Sequence, residues 1–311
     1  LVITIFLGTS YVLEAQQENI SLDSSGWPNV PSADPSTAPK NRFFTFEGEA
    51  DWIFKSRFTT PENAGQRIGF SESDIFLSYT QLLNSCEGVG IGAGYSWTHL
   101  DWDQNPFFSE ENFPAVTFSV DGFSKRFPSW VWKGSFSVDM QTDEFGDGDY
   151  NLYNLTIWGR YGFYNYYVSD LGLNIGFVGR TGLEQTIAWP IVGLDFHIYR
   201  DWKINVVYPV NMSLIYSLND NWSLAFAGRI WNTRRRVSES EVLPKGIFEY
   251  RNSGVEFVVN YKYCDYANAN FHVGSTVGTG DLKIVDSRNH TIRHNKFREA
   301  AYLGGAFDFK F

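Results

Sequence analysis

The chain of 311 residues carries 25 Lys and Arg against 35 Asp and Glu, a net charge of −10, and a mean hydropathy of −0.26. That net charge argues against nucleic acid, which needs clustered Lys and Arg, and the chain lacks the run of about eighteen apolar residues that a helical membrane span requires. Its 27 Phe, 17 Tyr and 11 Trp make it 18 % aromatic, a share that suits the interfacial belts of a membrane barrel better than a soluble enzyme.

The chain opens on an apolar run, Leu1 to Val12, followed by Leu13-Glu14-Ala15. This has the form of the apolar core and small-residue cleavage site of a secretory signal peptide, so residues 1–15 are expected to be one, truncated at its start. Residues 16–41 are polar and contain Pro28, Pro31, Pro35 and Pro39. Such a segment cannot bury enough apolar surface to fold, and a disordered periplasmic leader is expected. Residues 42–311 read as a single domain.

From Arg42 onward apolar and polar residues alternate with a period of two, the mark of half-buried strands. Phe44, Phe46, Trp52 and Phe54 share one face, and Glu47, Glu49, Asp51 and Lys55 the other. Ile75 and Leu77 oppose Asp74; Ile91, Tyr95 and Trp97 oppose Gly88, Gly90, Gly92 and Gly94. Val116, Phe118 and Val120 oppose Asp121, and Trp132, Phe136 and Val138 oppose Lys133 and Asp139. Leu155 and Ile157 oppose Arg160, with Trp158 interrupting the polar face. Leu173 and Ile175 then oppose Arg180, and Leu194 and Phe196 oppose Asp195. Leu224 and Phe226 oppose Arg229 and Arg235, and Phe257 and Val259 oppose Glu256 and Lys262.

Short links at 84–87, 128–129, 169–170, 200–201, 219–221 and 265–268 alternate with longer polar ones at 59–66, 103–112, 143–148, 183–185, 238–246 and 286–296. Membrane barrels show that alternation, with short periplasmic turns and longer outer loops. The strand count turns on residues 202–218. If both segments there count, the chain predicts an all-β, transmembrane antiparallel up-and-down β-barrel of fourteen strands; if they fold short or inward, twelve.

The final segment alternates most strictly. Leu303, Phe307, Phe309 and Phe311 fall on one face, and Tyr302, Asp308 and Lys310 on the other. A soluble sheet edge so aromatic would aggregate, whereas a closed barrel turns the aromatic face to lipid and the charged face to the lumen. A terminal strand ending on Phe resembles the assembly signal of Gram-negative outer-membrane β-barrel proteins, by motif over these residues and by pattern over the rest. The resemblance implies residence in the cell outer membrane, contact with its lipid, and handling by the barrel-assembly machinery.

Candidate chemistry is sparse. His290 and His294 are four apart, but in a loop rather than on a helix, and solvated histidines are expected. Asp195 and His197 share one strand face, the best acid–histidine pair, yet no nucleophile motif accompanies them. The loop Asp143 to Asp149 concentrates carboxylates around Gly146 and Gly148 without the full calcium-loop pattern. Cys86 and Cys264 lack metal-ligand spacing. Both fall in inner turns about four strand spacings apart, roughly 5 Å each, which predicts two free thiols. No catalytic residue, metal or cofactor is expected.

The polar face is the most informative surface. Glu47, Glu49, Asp51, Asp74, Asp121, Asp139, Asp195, Glu256 and Asp308 are expected in the lumen opposite Lys55, Lys125, Lys133, Arg160, Arg180, Arg229, Arg235, Lys262 and Lys310. Nine acids facing nine bases predict a lumen narrowed by paired charges and weak in ion selectivity. The functional expectation is a narrow channel for passive passage of small polar solutes. The alternative is a structural or surface-interaction barrel without an open pore; a hydrolase at the rim comes last.

Overall fold

The computed structural model describes residues 42–311, apart from Pro128, 164–170, Arg200 and Asp265. The expected signal peptide and leader therefore lie outside the described residues. Every described strand is antiparallel to its neighbours. The first eight are β1 (Arg42–Arg57), β2 (Arg67–Asn84), β3 (Glu87–Trp102), β4 (Asn112–Ser124), β5 (Trp130–Gln141), β6 (Asn151–Phe163), β7 (Leu171–Gly182) and β8 (Gln185–Tyr199). Then come β9 (Trp202–Tyr208), β10 (Asn211–Ser217), β11 (Trp222–Arg236), β12 (Ile247–Tyr263), β13 (Ala267–Thr276), β14 (Gly280–Val285), β15 (Thr291–Phe297) and β16 (Ala301–Lys310).

Strands β1 to β13 pair in sequence order, β13 pairs with β16, and β16 pairs with β1, so fourteen strands close a ring. The seam is made by the terminal segment, with Phe46 opposite Phe309 and Gly48 opposite Phe307. Phe44 and Phe311 exchange both backbone hydrogen bonds, at 2.8 and 3.0 Å. Their rings stack at 5.9 Å. Closure of the seam leaves neither the first nor the last strand as an edge for another chain to extend.

The remaining two strands correct one expectation. Residues 286–296 are not a loop throughout: β14 and β15 form a hairpin around Asp286 to His290. β14 pairs with the first residues of β12, Ile247 to Arg251, while β13 pairs with the later ones from Gly254. β15 meets the chain just beyond the end of β1 through a bridge from Phe297 to Phe58. β14 thus prolongs β13, and β15 leads into β16, past short breaks at 277–279 and 298–300.

The outside is the apolar face that the alternation predicts. Trp52, Ile75, Ile91, Val120 and Phe136 are all about half exposed there. Such residues are stable only against lipid, and a closed ring is the one sheet that satisfies every backbone group inside it.

Two features depart from a uniform cylinder. β9 and β10 have only seven residues each, so the wall is low between β8 and β11. β11 is paired with β10 only up to Gly228, yet it continues to Arg236 alongside β12. This outer half of the β11–β12 hairpin, paired with β14 on its β12 side and open on its β11 side, leans across the mouth, and both its faces are covered. Trp231, Phe248 and Tyr250 pack with Phe70, Leu100 and Phe113 of β2, β3 and β4. On the other face Ile247 packs with Leu152, Leu183 and Val285.

Candidate functional site

The lumen is organised around Arg229, the first residue of β11 beyond its pairing with β10. Its guanidinium lies 2.5 Å from Glu49 and 2.6 Å from Asp51 on β1, and 2.8 Å from Glu256 on β12. Asp51 also meets His272 of β13 at 2.6 Å and accepts from the Trp231 indole at 3.3 Å. Tyr302 of β16 donates to Glu256 at 3.1 Å. A guanidinium offers five N–H donors in a fixed plane, so one arginine can hold several carboxylates that would otherwise repel.

A second network occupies the opposite wall. Arg160 grips Asp195 at 2.5 Å, Asn174 donates to the same carboxylate at 2.7 Å, and the Trp158 indole donates to Asn174 at 2.9 Å. Trp158 therefore does not break the inner face; it is an inward side chain with its N–H satisfied. Above it, Trp158, Val178, Ile191 and Val207 form a small apolar cluster.

Towards the outer end the lumen is a packed core. Phe70 stacks on Tyr250 at 4.0 Å, Phe113 meets Phe248 edge-on at 4.7 Å, and Phe58 meets Trp102 at 5.2 Å. The leaning hairpin supplies one side of this core. Its free edge is finished by side chains from across the barrel. Gln141 donates to the Arg236 carbonyl and accepts from the Arg236 amide, both at 2.8 Å. Arg180 donates to the Asn232 carbonyl at 3.4 Å. An unpaired strand edge must find such partners, since buried backbone polar groups are costly to leave open.

Beneath the core is a cavity of about 380 Å³, running from Phe43, Asn268 and Lys310 at the inner mouth to Trp231 and Arg235. Glycine makes the room: on the inner face of β3 a Cβ at Gly92 or Gly94 would collide with the Phe76 ring, and one at Gly88 with Phe123. The rings lie flat on the glycines instead of projecting inward. Seven carboxylates line the space, Glu47, Glu49, Asp51, Glu72, Asp74, Asp121 and Asp308, with four cations, Lys133, Arg229, Arg235 and Lys310.

Most of the expected lumen residues are brought together here. Asp139, outside that lining, accepts from Thr117 at 2.6 Å and Asn154 at 3.1 Å. Arg180 is buried against the hairpin, and Lys262 sits at the inner end of β12, opposite Asn268. Lys55 is the exception. A bulge between Ile53 and Ser56 shifts the register, returning Ser56 and Phe58 to the inside and turning Lys55 outward to Asp101 and Asp103, both at 2.7 Å. The nine-to-nine balance also fails at the cavity: Glu72 joins the lining and Asp139, Asp195 and Glu256 lie outside it, whereas five of the nine bases, Lys55, Lys125, Arg160, Arg180 and Lys262, are outside it. Glu72 stands on the parity of Asp74 and was legible; Arg234 and Arg236, buried on the hairpin's other face, were not.

The outlying candidates separate. His290 lies 3.1 Å from Asp286 and His294 3.0 Å from Asp281, so the two histidines do not converge. Asp195 is held by Arg160. Two carboxylates of the 143–149 loop share an ammonium: Lys245 reaches Asp147 at 3.2 Å and Asp149 at 3.3 Å, and Glu239 of the 238–246 loop at 2.7 Å. Among the described residues no cluster suited to a metal ion occurs. Cys86 and Cys264 are free.

A closed antiparallel ring with an apolar exterior and a charged interior defines a transmembrane β-barrel of the outer-membrane type, its wall against the bilayer. No protein-family model matches the chain. It is similar to an uncharacterized protein of Chlamydia pneumoniae, 25% identical over 258 residues that cover 78% of this chain and 79% of that one. It is also similar to an uncharacterized protein of Chlamydia trachomatis serovar D, 23% identical over 290 residues, 88% of this chain and 89% of the relative. Among solved structures it is similar to a TodX deltaS2S3 mutant monoaromatic hydrocarbon channel at 8% identity and a TM-score of 0.40, covering 88% of this chain and 91% of that one.

Proposed function

We propose that the barrel is a narrow passage for small polar solutes, favouring cations, and that its outer mouth is shut in the arrangement described. The supporting observation is the cavity beneath the aromatic core, where seven carboxylates face four cations. Asp74 in particular forms no ion pair among the described residues; its charged neighbours there are Glu49, Glu72 and Asp51. An excess of one sign at the narrow part of a pore selects the opposite ion. The barrel-assembly machinery is the expected partner of the β16 strand. Conductance of refolded protein in a planar bilayer tests the reading. Small, intermittent steps with a cation-selective reversal potential are expected, and anion selectivity would overturn it.

The packed outer core favours a second reading, a barrel with no through-passage whose outer loops are the working surface. Complete absence of conductance, with the protein fully folded, would select it. Catalysis at the rim has no support in the geometry, since the carboxylate of the best acid–histidine pair belongs to Arg160.

A further inference from the structure

The outside of the wall carries a row of charge that the lumen does not explain. Arg57 of β1 and Arg67 of β2 are ladder partners. On the other side of Arg57, the amide of Arg298, between β15 and β16, donates to the Arg57 carbonyl at 3.0 Å. Phe58 and Phe297 form the bridge beside this pair and are buried in the aromatic core, so Arg57 and Arg298 turn to the opposite, outer face. Ile68, next to Arg67, is buried in the same core. Three arginines thus stand side by side on the outer face, all exposed, across strands about 5 Å apart.

Like charges directly opposite one another in a sheet repel, and a guanidinium does not give up its proton to relieve the strain. Among the described residues none of the three arginine side chains forms an ion pair. The carboxylates on β3 and in the β1–β2 loop are taken: Asp101 and Asp103 by Lys55, both at 2.7 Å, and Glu62 by Arg293 at 3.8 Å. Lys296, two residues before Arg298 and also exposed, adds to the excess. Such a row is not a general property of the rim. At the outer ends of β4, β6, β7 and β8 the residues on the outward face are Asn112, Asn151, Thr181 and Thr186.

The height of the row says what faces it. Arg67 stands three residues above Phe70, the ladder partner of Ile53, or roughly 8 Å up a tilted strand. On either side of Ile53, Trp52 and Phe54 are half exposed and belong to the lipid-covered wall. The headgroup layer lies just above such a wall. We propose that Arg57, Arg67 and Arg298 bind the phosphate of an outer-leaflet lipid headgroup, on the side of the barrel rather than at its mouth. Arginine forks match phosphate oxygens two at a time, and the lipid's chains then lie against Trp52 and Phe54. A soluble anion would match the charges but not the apolar wall beneath them. The site belongs to the outside of the ring and stands whether or not the lumen conducts.

The test uses full-length protein in a maltoside detergent, with retained lipid counted by native mass spectrometry. Phosphatidate, a phosphomonoester lipid, is the probe, and phosphatidylcholine the comparison. The parent should retain phosphatidate at about tenfold the level of phosphatidylcholine. Arg57→Gln, Arg67→Gln and Arg298→Gln together should lower phosphatidate retention about tenfold or more, and the same three changed to Lys should keep part of it. A control with equal loss of charge, Arg42→Gln, Arg126→Gln and Arg288→Gln, all exposed elsewhere, should retain the lipid as the parent does. Parental retention by the row variant overturns the proposal, as does an equal loss in the control. Displacement of the lipid by millimolar inorganic phosphate would show a soluble-anion site and overturns it too. If the triple variant does not fold, as judged by its heat-modifiable band, Arg57→Gln alone should lose about fivefold, against the same outcomes.

Discussion

Arg229 and Asp51 lie 2.6 Å apart although 178 positions separate them. They join β11 to β1 across the lumen, past the three strands that stand between them in the wall. The tie sits where β11 loses β10 as a neighbour, so it anchors the root of the leaning hairpin.

Replacing Arg229 by Ala would leave Glu49, Asp51 and Glu256 together without their cation. Breaking a buried ion pair from one side costs about 3–5 kcal/mol. Urea unfolding should shift accordingly, and the temperature at which the folded band is lost on electrophoresis should fall. Arg229→Lys should recover part of the loss, since one ammonium cannot present the same fork of donors. Unchanged unfolding of Arg229→Ala would show that the network contributes nothing.

Gly92→Leu tests how the cavity is made. Any Cβ there meets the Phe76 ring, which must swing into the open space. Conductance should fall several-fold while the barrel still folds. Equal conductance in the two proteins would place the passage elsewhere.

Gln141→Ala removes both contacts that finish the strand edge at Arg236. A buried backbone group left unsatisfied costs about 1–3 kcal/mol. Hydrogen exchange over 232–237 should accelerate about tenfold or more, with β2 and β3 unaffected. Acceleration spread evenly over the barrel would mean that the hairpin does not move as a unit.

Removing Phe311 deletes the last rung of the seam with Phe44. Less folded protein should be recovered from outer membranes, measured as the heat-modifiable band. Normal recovery would separate the terminal residue from assembly.

The wall was legible because its outward face has one solvent, lipid, along its whole height. Phe307, Phe309 and Phe311 were placed by parity alone. Lys55 was misplaced because a bulge adds a residue that period-two counting cannot see, and one residue turns a side chain to the other face. The leaning hairpin was illegible for another reason. Between Trp231 and Arg236 both faces are buried, so aromatic, amide and guanidinium side chains occur without a polar side to contrast with. The partner of the 143–149 loop, Lys245, lies some hundred positions away and could be found only through the fold.

The aromatic core at the outer mouth divides the molecule between two sources of stability. Ile91 and Val120 contribute only while hydrocarbon covers them. Phe113, Phe248 and Leu282 are fully sheltered by other side chains, gaining about 25 cal/mol per Å² withdrawn from water whatever surrounds the barrel. Extraction into a poor detergent is therefore expected to loosen the lipid-facing wall before the aromatic core.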